Sequence, residues 1–132
     1  MTEERSATPM KILIVQNHNN GTNCSLSRYL ESTGHICIGV PQPSSAIDVI
    51  YRENPDIVML STHLRQPSCH AILEKIKVAP STRNIPVFYL AGRNARSCLR
   101  KGYMLGMYDY ISLPIFPEEI YARLNNISQL CD

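Results

Sequence analysis

Ser61 closes the run Asp56-Ile57-Val58-Met59-Leu60. A short apolar run with little alternation suits a strand buried on both faces. In open parallel sheets, chemistry sits in the crevice beyond the carboxyl ends of the strands, which is where Ser61 falls. A hydroxyl there could be a nucleophile or the target of a serine kinase, but a polar cap on the strand end is the preferred reading. His18, His63, Cys69 and His70 could gather near the same edge and bind zinc, yet their spacing matches no zinc pattern, so the histidines read as solvated loop residues. Asn17 with Asn19-Asn20-Gly21 could cradle an anion at a helix N-terminus. No glycine-rich fingerprint accompanies them, which favours an ordinary polar loop. Cys24, Cys37, Cys69, Cys98 and Cys131 are odd in number and form no CxxC, so they read as reduced packing thiols. No cofactor or metal is expected.

At 132 residues the chain suits one domain with a proper core. Its 44% apolar and 18% charged content are those of a globular protein, and a net charge of +2 favours no class of partner. No apolar run approaches the ~20 residues that cross a bilayer. Residues 1–9 are polar and lack the apolar core of a signal peptide. The expectation is a cytoplasmic protein with a disordered lead over 1–9 and one domain over 10–132.

The elements that would position Ser61 follow in order. Lys11-Ile12-Leu13-Ile14-Val15 predicts a first strand. Thr22 or Asn23 could cap a helix carrying Leu26, Tyr29 and Leu30, which Gly34 ends. Ile36, Ile38 and Val40 alternate with Cys37 and Gly39, the pattern of a strand nearer an edge. Ser44 or Ser45 caps a second helix with Ala46, Ile47 and Ile50 inward, stopped by Asn54-Pro55. After the Ser61 strand, a third helix over 68–78 buries Ala71, Ile72 and Ile76 with Lys75 and Lys77 outward. A fourth strand spans 85–90, with Pro86 tolerable at its start. Asn94 can cap a fourth helix ending near Gly106, and a short strand over 108–111 follows. Pro117 opens the last helix, with Glu118 and Glu119 at its positive end and Ile120, Leu124 and Ile127 inward. Five alternations with short links predict a doubly wound α/β sandwich around a parallel sheet.

Several segments carry a resemblance. Lys11-Ile12-Leu13-Ile14-Val15, Asn54-Pro55-Asp56-Ile57-Val58-Met59-Leu60, Asn84-Ile85-Pro86-Val87, Asp109-Tyr110-Ile111-Ser112-Leu113-Pro114 and the helix from Pro117 to Leu124 together resemble the receiver domain of bacterial response regulators, the CheY-like family. The likeness covers 11–129 and implies a flavodoxin-like fold with strand order 2-1-3-4-5. Pro80-Ser81-Thr82-Arg83-Asn84-Ile85-Pro86 is most like receivers that precede diguanylate cyclase domains, as in PleD. The resemblance also implies that the Leu113-Pro114 bond is cis, as the family's lysine–proline bond there is.

The family's chemistry is missing at the matching positions. Ser61 stands for the phosphoacceptor aspartate, Gln16 and Asn17 for the acidic pair that holds magnesium, Ala91 for the Thr or Ser, and Leu113 for the lysine. Arg65 and Cys69 replace a proline and a glycine of the following loop, while Tyr110 keeps the place of the switch aromatic. A serine must lose its proton as it attacks, and no His, Glu or Asp at a family position could take it. Amides offer magnesium only weak neutral oxygens, and phosphoryl transfer leans on metal and lysine to absorb charge. Loss of both signs together leaves a neutral cleft, avoiding the cost of stranding either charge.

Arg93, Arg96, Arg100 and Lys101 give the fourth helix a basic face, and Glu118, Glu119 and Arg123 mark the fifth. The resemblance makes the surface of helix 4, strand 5 and helix 5 the partner face, so the basic face could meet Glu118 and Glu119 of a second copy. A solvated helix is the plain alternative. The basic cluster is short and no reading helix is appended, which argues against nucleic acid. Tyr110 is expected to be packed and fixed, since Ala91 offers it no hydroxyl. The reading is a non-enzymatic, phosphorylation-independent pseudo-receiver, a module for a protein partner or for self-association in two-component signalling, with a cyclic-di-GMP output domain implied by the PleD-type likeness. The alternatives are a working or metal-dependent phosphoacceptor with relocated residues, and a small-ligand sensor using the neutral cleft.

Overall fold

The computed structural model describes residues 9–16, 21–114 and 116–131, with the side chains of all but 21–24 and 128–131. The expected lead over 1–9 thus falls, up to residue 8, outside the described residues. Five strands, β1 Lys11–Val15, β2 Ile36–Val40, β3 Ile57–Ser61, β4 Val87–Ala91 and β5 Asp109–Ser112, form one parallel sheet in the order β2-β1-β3-β4-β5. The helices between and after them are α1 Gly21–Ser32, α2 Ala46–Glu53, α3 Cys69–Val78, α4 Arg96–Leu105 and α5 Pro117–Cys131. This is the expected doubly wound sandwich, with β2 at an edge and β3 at the centre. Among the described residues no helix is long and apolar enough to cross a membrane.

The unbroken apolar runs are explained by burial on both faces. Successive side chains of a strand point to opposite faces. Leu13, Val15, Val58, Leu60, Val87 and Tyr89 therefore pack toward α2 and α3 with Ile50, Ile72, Leu73 and Ile76. Ile12, Ile14, Ile57, Met59, Phe88 and Leu90 face α1 and α5, meeting Leu26, Leu30, Ile120, Leu124 and Ile127. The apolar stripes predicted for α1, α2, α3 and α5 are what cover the sheet, save that Ala71 of α3 is only half-buried. β2, by contrast, leaves Ile36 59% exposed, as an edge permits.

Ends of elements differ from expectation for local reasons. Helix α1 already begins at Gly21, so Thr22 and Asn23 lie inside it. Ser45 closes a single 3-10 turn, Pro43–Ser45, and makes no side-chain cap, because its backbone is already helical. Asn94 is not the cap of α4: it turns the chain at φ 58, and Ala95 holds the cap position without a side-chain bond. Pro86 precedes β4, offering only its carbonyl, which accepts from the Val58 N–H. Lys77 is not simply outward. Its ammonium reaches back to the carbonyls of Arg83 and Ile85, each at 3.0 Å, and burial lowers its pKa. Ser68 does cap α3, accepting from Ala71 N–H at 3.1 Å, and Asn54 ends α2 in the left-handed conformation. The Leu113-Pro114 bond is cis, as expected, and so is Gln66-Pro67.

Helix α4 sits close against β4 because residue 102 is glycine. A Cβ there would come within 2.7 Å of both the Tyr89 ring and the Met107 sulfur. That approach sets what each side of α4 can touch.

Candidate functional site

The carboxyl ends of the strands bring the sequence-predicted cleft residues to one edge. Val15 pairs with Leu60, Ser61 with Leu90 and Ala91 with Ser112, so Gln16, Ser61, Ala91 and Leu113 line the rim. Asn17 lies outside the described residues, as do His18 and Asn19-Asn20 of the proposed anion loop. Ser61 is 3% exposed, and its Oγ accepts the backbone N–H of His63 at 3.1 Å, the local bond expected of a polar strand end. Backbone bonds then close the rim: Thr62 N–H to Leu90 O at 3.1 Å, Leu113 N–H to Ala91 O at 3.0 Å, and Gly92 N–H to Thr62 Oγ1 at 3.1 Å. The His63 ring lies across Gly92, where any Cβ would collide with it. Gln16 is 1% exposed, and neither polar atom of its amide finds a partner.

The four described cleft positions are two neutral polar and two apolar side chains. They contain no anionic oxygen for a hard cation and no ammonium for a phosphoryl group. What this rim can do chemically is hydrogen-bond.

Charge gathers instead beside β5. Arg123 of α5 donates to Asp109 Oδ2 and to Glu119 Oε2, both at 2.9 Å, and its guanidinium carbon lies 5.5 Å from the centre of the Tyr110 ring. Asp109 also accepts from the Tyr103 hydroxyl at 3.1 Å and the Tyr110 N–H at 2.8 Å. Burial pulls the Arg123 pKa down, but Glu119 and Asp109 outweigh it and hold the guanidinium above its ordinary value. Tyr103 is raised by burial and by Asp109. Glu119 is thus engaged within its own chain, while Glu118 is exposed.

Between α4 and β5 lies an open cavity of about 570 Å³. Ala91, Leu99 and Leu113 form its apolar floor, Tyr110 one wall, and Arg96 and Arg100 its basic rim. Of the basic residues assigned to one face of α4, Arg93 precedes the helix and is not among those around this cavity, and nor is Lys101. It lies on the α3 side, where its charge reaches His70. A helix turns by about 100° per residue, so adjacent positions 100 and 101 separate onto two faces.

That second face holds a cluster the linear spacing does not reveal. Cys69 and His70, in the first turn of α3, meet Cys98, in the first turn of α4: the two sulfurs are 3.8 Å apart, and Cys98 Sγ is 3.6 Å from His70 Nε2. His70 Nδ1 and the Tyr89 hydroxyl are 2.8 Å apart. His70 is therefore no solvated loop residue, and burial, then Lys101, lowers its pKa. Burial also pushes the Cys69 thiol up to about 12 and raises Tyr89.

No protein-family model matches the chain. Its sequence is 25% identical over 117 residues to the "Probable transcriptional regulator ycf29" of Pyropia yezoensis, covering 89% of this chain and 52% of that protein. It is 29% identical over 98 residues to the phosphate regulon transcriptional regulatory protein PhoB of Pseudomonas aeruginosa, covering 74% of this chain and 43% of that one. The chain spans about half the length of the curated relatives it matches. Among solved structures, the response regulator receiver domain protein of Clostridium thermocellum superposes with a TM-score of 0.81 at 18% identity, over 91% of this chain and 94% of that one. The chain has the fold of the CheY-like receiver domains, and its sequence is similar to response regulators that carry one.

Proposed function

We propose that this receiver is a pseudo-receiver: a cytoplasmic, non-enzymatic module of two-component signalling that works without phosphorylation, by binding a protein partner or a second copy through α4, β5 and α5. The observation that carries the reading is the neutral rim at the sheet's carboxyl edge. Ser61 is buried and its oxygen engaged by His63 N–H, with Gln16, Ala91 and Leu113 around it. Phosphoryl transfer draws its rate from charges placed against the developing negative charge, and these side chains supply none.

The docking side is supported by the cavity beside β5. Arg96 and Arg100 rim an apolar floor walled by Tyr110, a surface suited to an acidic segment with an apolar anchor. Glu118 of a second copy supplies such a charge. Glu119 and Arg123 act by holding Tyr110 and Asp109 in place. Regulation of a cyclic-di-GMP output domain, as in receivers that precede diguanylate cyclases, is the finer reading that the 80–86 segment supports.

The deciding experiment adds beryllofluoride or acetyl phosphate with magnesium while amide resonances are followed. No localised change around Ser61 is expected; a saturable change confined there would establish a working phosphoacceptor instead. The cavity also favours a second reading, a small-ligand sensor, since its volume is within the range of ligand pockets. A thermal shift with nucleotides that Arg96→Glu abolishes would support that reading over a protein partner.

A further inference from the structure

We propose that Cys69, His70 and Cys98 form a tetrahedral binding site for zinc or a similar borderline-soft divalent ion, tying the start of α3 to the start of α4. The fourth position is left to water or an exogenous ligand. This site is separate from the rim around Ser61 and does not rest on the pseudo-receiver reading.

The geometry carries the assignment. With zinc–sulfur bonds of about 2.3 Å and zinc–nitrogen bonds of about 2.05 Å, tetrahedral angles put two sulfurs about 3.8 Å apart and a sulfur about 3.6 Å from a nitrogen. The observed separations are 3.8 Å for Cys69 Sγ to Cys98 Sγ and 3.6 Å for Cys98 Sγ to His70 Nε2, and all three donor atoms lie within 4.8 Å of one another. A disulfide would need the sulfurs to close to about 2.0 Å, whereas an ion fits the two Cys98 separations as they stand and needs the third, between Cys69 Sγ and His70 Nε2 and within 4.8 Å, to be about 3.6 Å.

The surroundings agree. A metal-binding histidine usually donates its other ring nitrogen to an oxygen, which sets the tautomer and the ring's direction. Here His70 Nδ1 meets the Tyr89 hydroxyl at 2.8 Å, leaving Nε2 turned to Cys98. Burial raises the pKa of the Cys69 thiol, an effect that a hydrogen bond from Tyr89 beside it offsets in part. Its raised pKa keeps the phenol a neutral donor. Two thiolates, a neutral imidazole and a divalent ion sum to zero charge, which suits a half-buried site. Cys69 is buried while His70 and Cys98 are partly open, so an ion has a way in. Because α4 also presents Arg96 and Arg100 to the cavity beside β5, the ion would hold the partner face in one position.

The test uses the 132-residue chain, reduced and dialysed against chelator. Titration with cobalt(II) should saturate at one equivalent, giving thiolate charge-transfer absorption and the intense visible bands of a tetrahedral ion, both removed by added zinc. Tyr89→Phe should weaken the affinity roughly 10- to 100-fold, and Cys98→Ser and His70→Ala by at least as much. Cys37→Ser should bind like the parent. Amide spectra of each variant show whether it is folded; should Cys98→Ser fail to fold, the partly exposed His70→Gln carries the same test. The assignment is overturned by absence of tetrahedral absorption, or by full retention of it in folded Cys98→Ser or His70→Ala.

Discussion

The rim around Ser61 and the face around Arg123 are built from opposite materials, though both end on the same strands. At the rim, Gln16, Ser61, Ala91 and Leu113 are neutral, and backbone N–H groups close the gaps. On the face, Asp109, Glu119 and Arg123 form a mutually paired set, with Arg96 and Arg100 exposed beside it. The physical difference is what each region asks of a charge. A buried charge is tolerable only with a partner of opposite sign and satisfied hydrogen bonds, and the described rim side chains offer no charge of either sign. Beside β5 the charges are partly solvated and answer one another, so they persist where a partner can reach them.

The largest way to break this contrast is to put a charge back at the rim. Ser61→Asp places a carboxylate at a 3% exposed position among neutral neighbours. We expect a loss of about 2–4 kcal/mol in urea unfolding at neutral pH. Burial without a cation raises the carboxyl's folded pKa, so this penalty should shrink as pH falls and vanish below the unfolded value of about 4. An equally stable Ser61→Asp protein would mean that the rim is wet and open.

Arg123→Ala attacks the other side. It removes two charge-assisted bonds and the contact with the Tyr110 ring, leaving Asp109 and Glu119 without their cation. Because these groups are partly exposed, the expected cost is only about 1–2 kcal/mol. Binding of a partner should weaken more than that stability loss explains, through a loosened Tyr110; unchanged binding would remove Tyr110 from the interface.

A smaller effect tests whether titration resides away from the rim. His35 is buried, its Nδ1 accepts the Met10 N–H at 3.0 Å, and burial lowers its pKa from 6.5. Below pH 6.5 the unfolded chain takes up a proton that the folded imidazole resists. Its contribution is therefore complete above that pH and is lost as pH falls through the folded pKa. His35→Gln should flatten the decline of urea midpoints between neutral and mildly acidic pH; an unchanged slope would assign it to other groups.

The smallest expected change in stability belongs to Arg96→Glu and Arg100→Glu, within about 0.5 kcal/mol for exposed positions. Sedimentation or partner titration should nevertheless show binding lost. Retained association would move the partner face away from α4.

Much of this molecule was legible in its residues. Apolar runs without alternation named the central strands, because a strand covered on both faces has no polar side to declare. Asn54-Pro55, Gly34 and Gly106 marked helix ends through backbone constraints that are local by nature. The neutrality of the rim followed from residue types alone once the strands were placed. Starts of helices were read less well: Asn94 and Ser45 have cap chemistry, but the chain's path put their backbones where no cap can form.

What only the tertiary structure decided is which distant side chains meet. Arg123 reaches Asp109 across 14 positions and Cys98 reaches Cys69 across 29, separations at which no local pattern operates. The angle at which α4 lies on Tyr89, allowed by Gly102, sends Arg100 to the cavity and Lys101 toward His70. The order of residues dictates the elements because their causes act within a turn or a strand; the rotation of one element against another comes from packing the whole core, and it is that rotation which makes a cluster out of scattered residues.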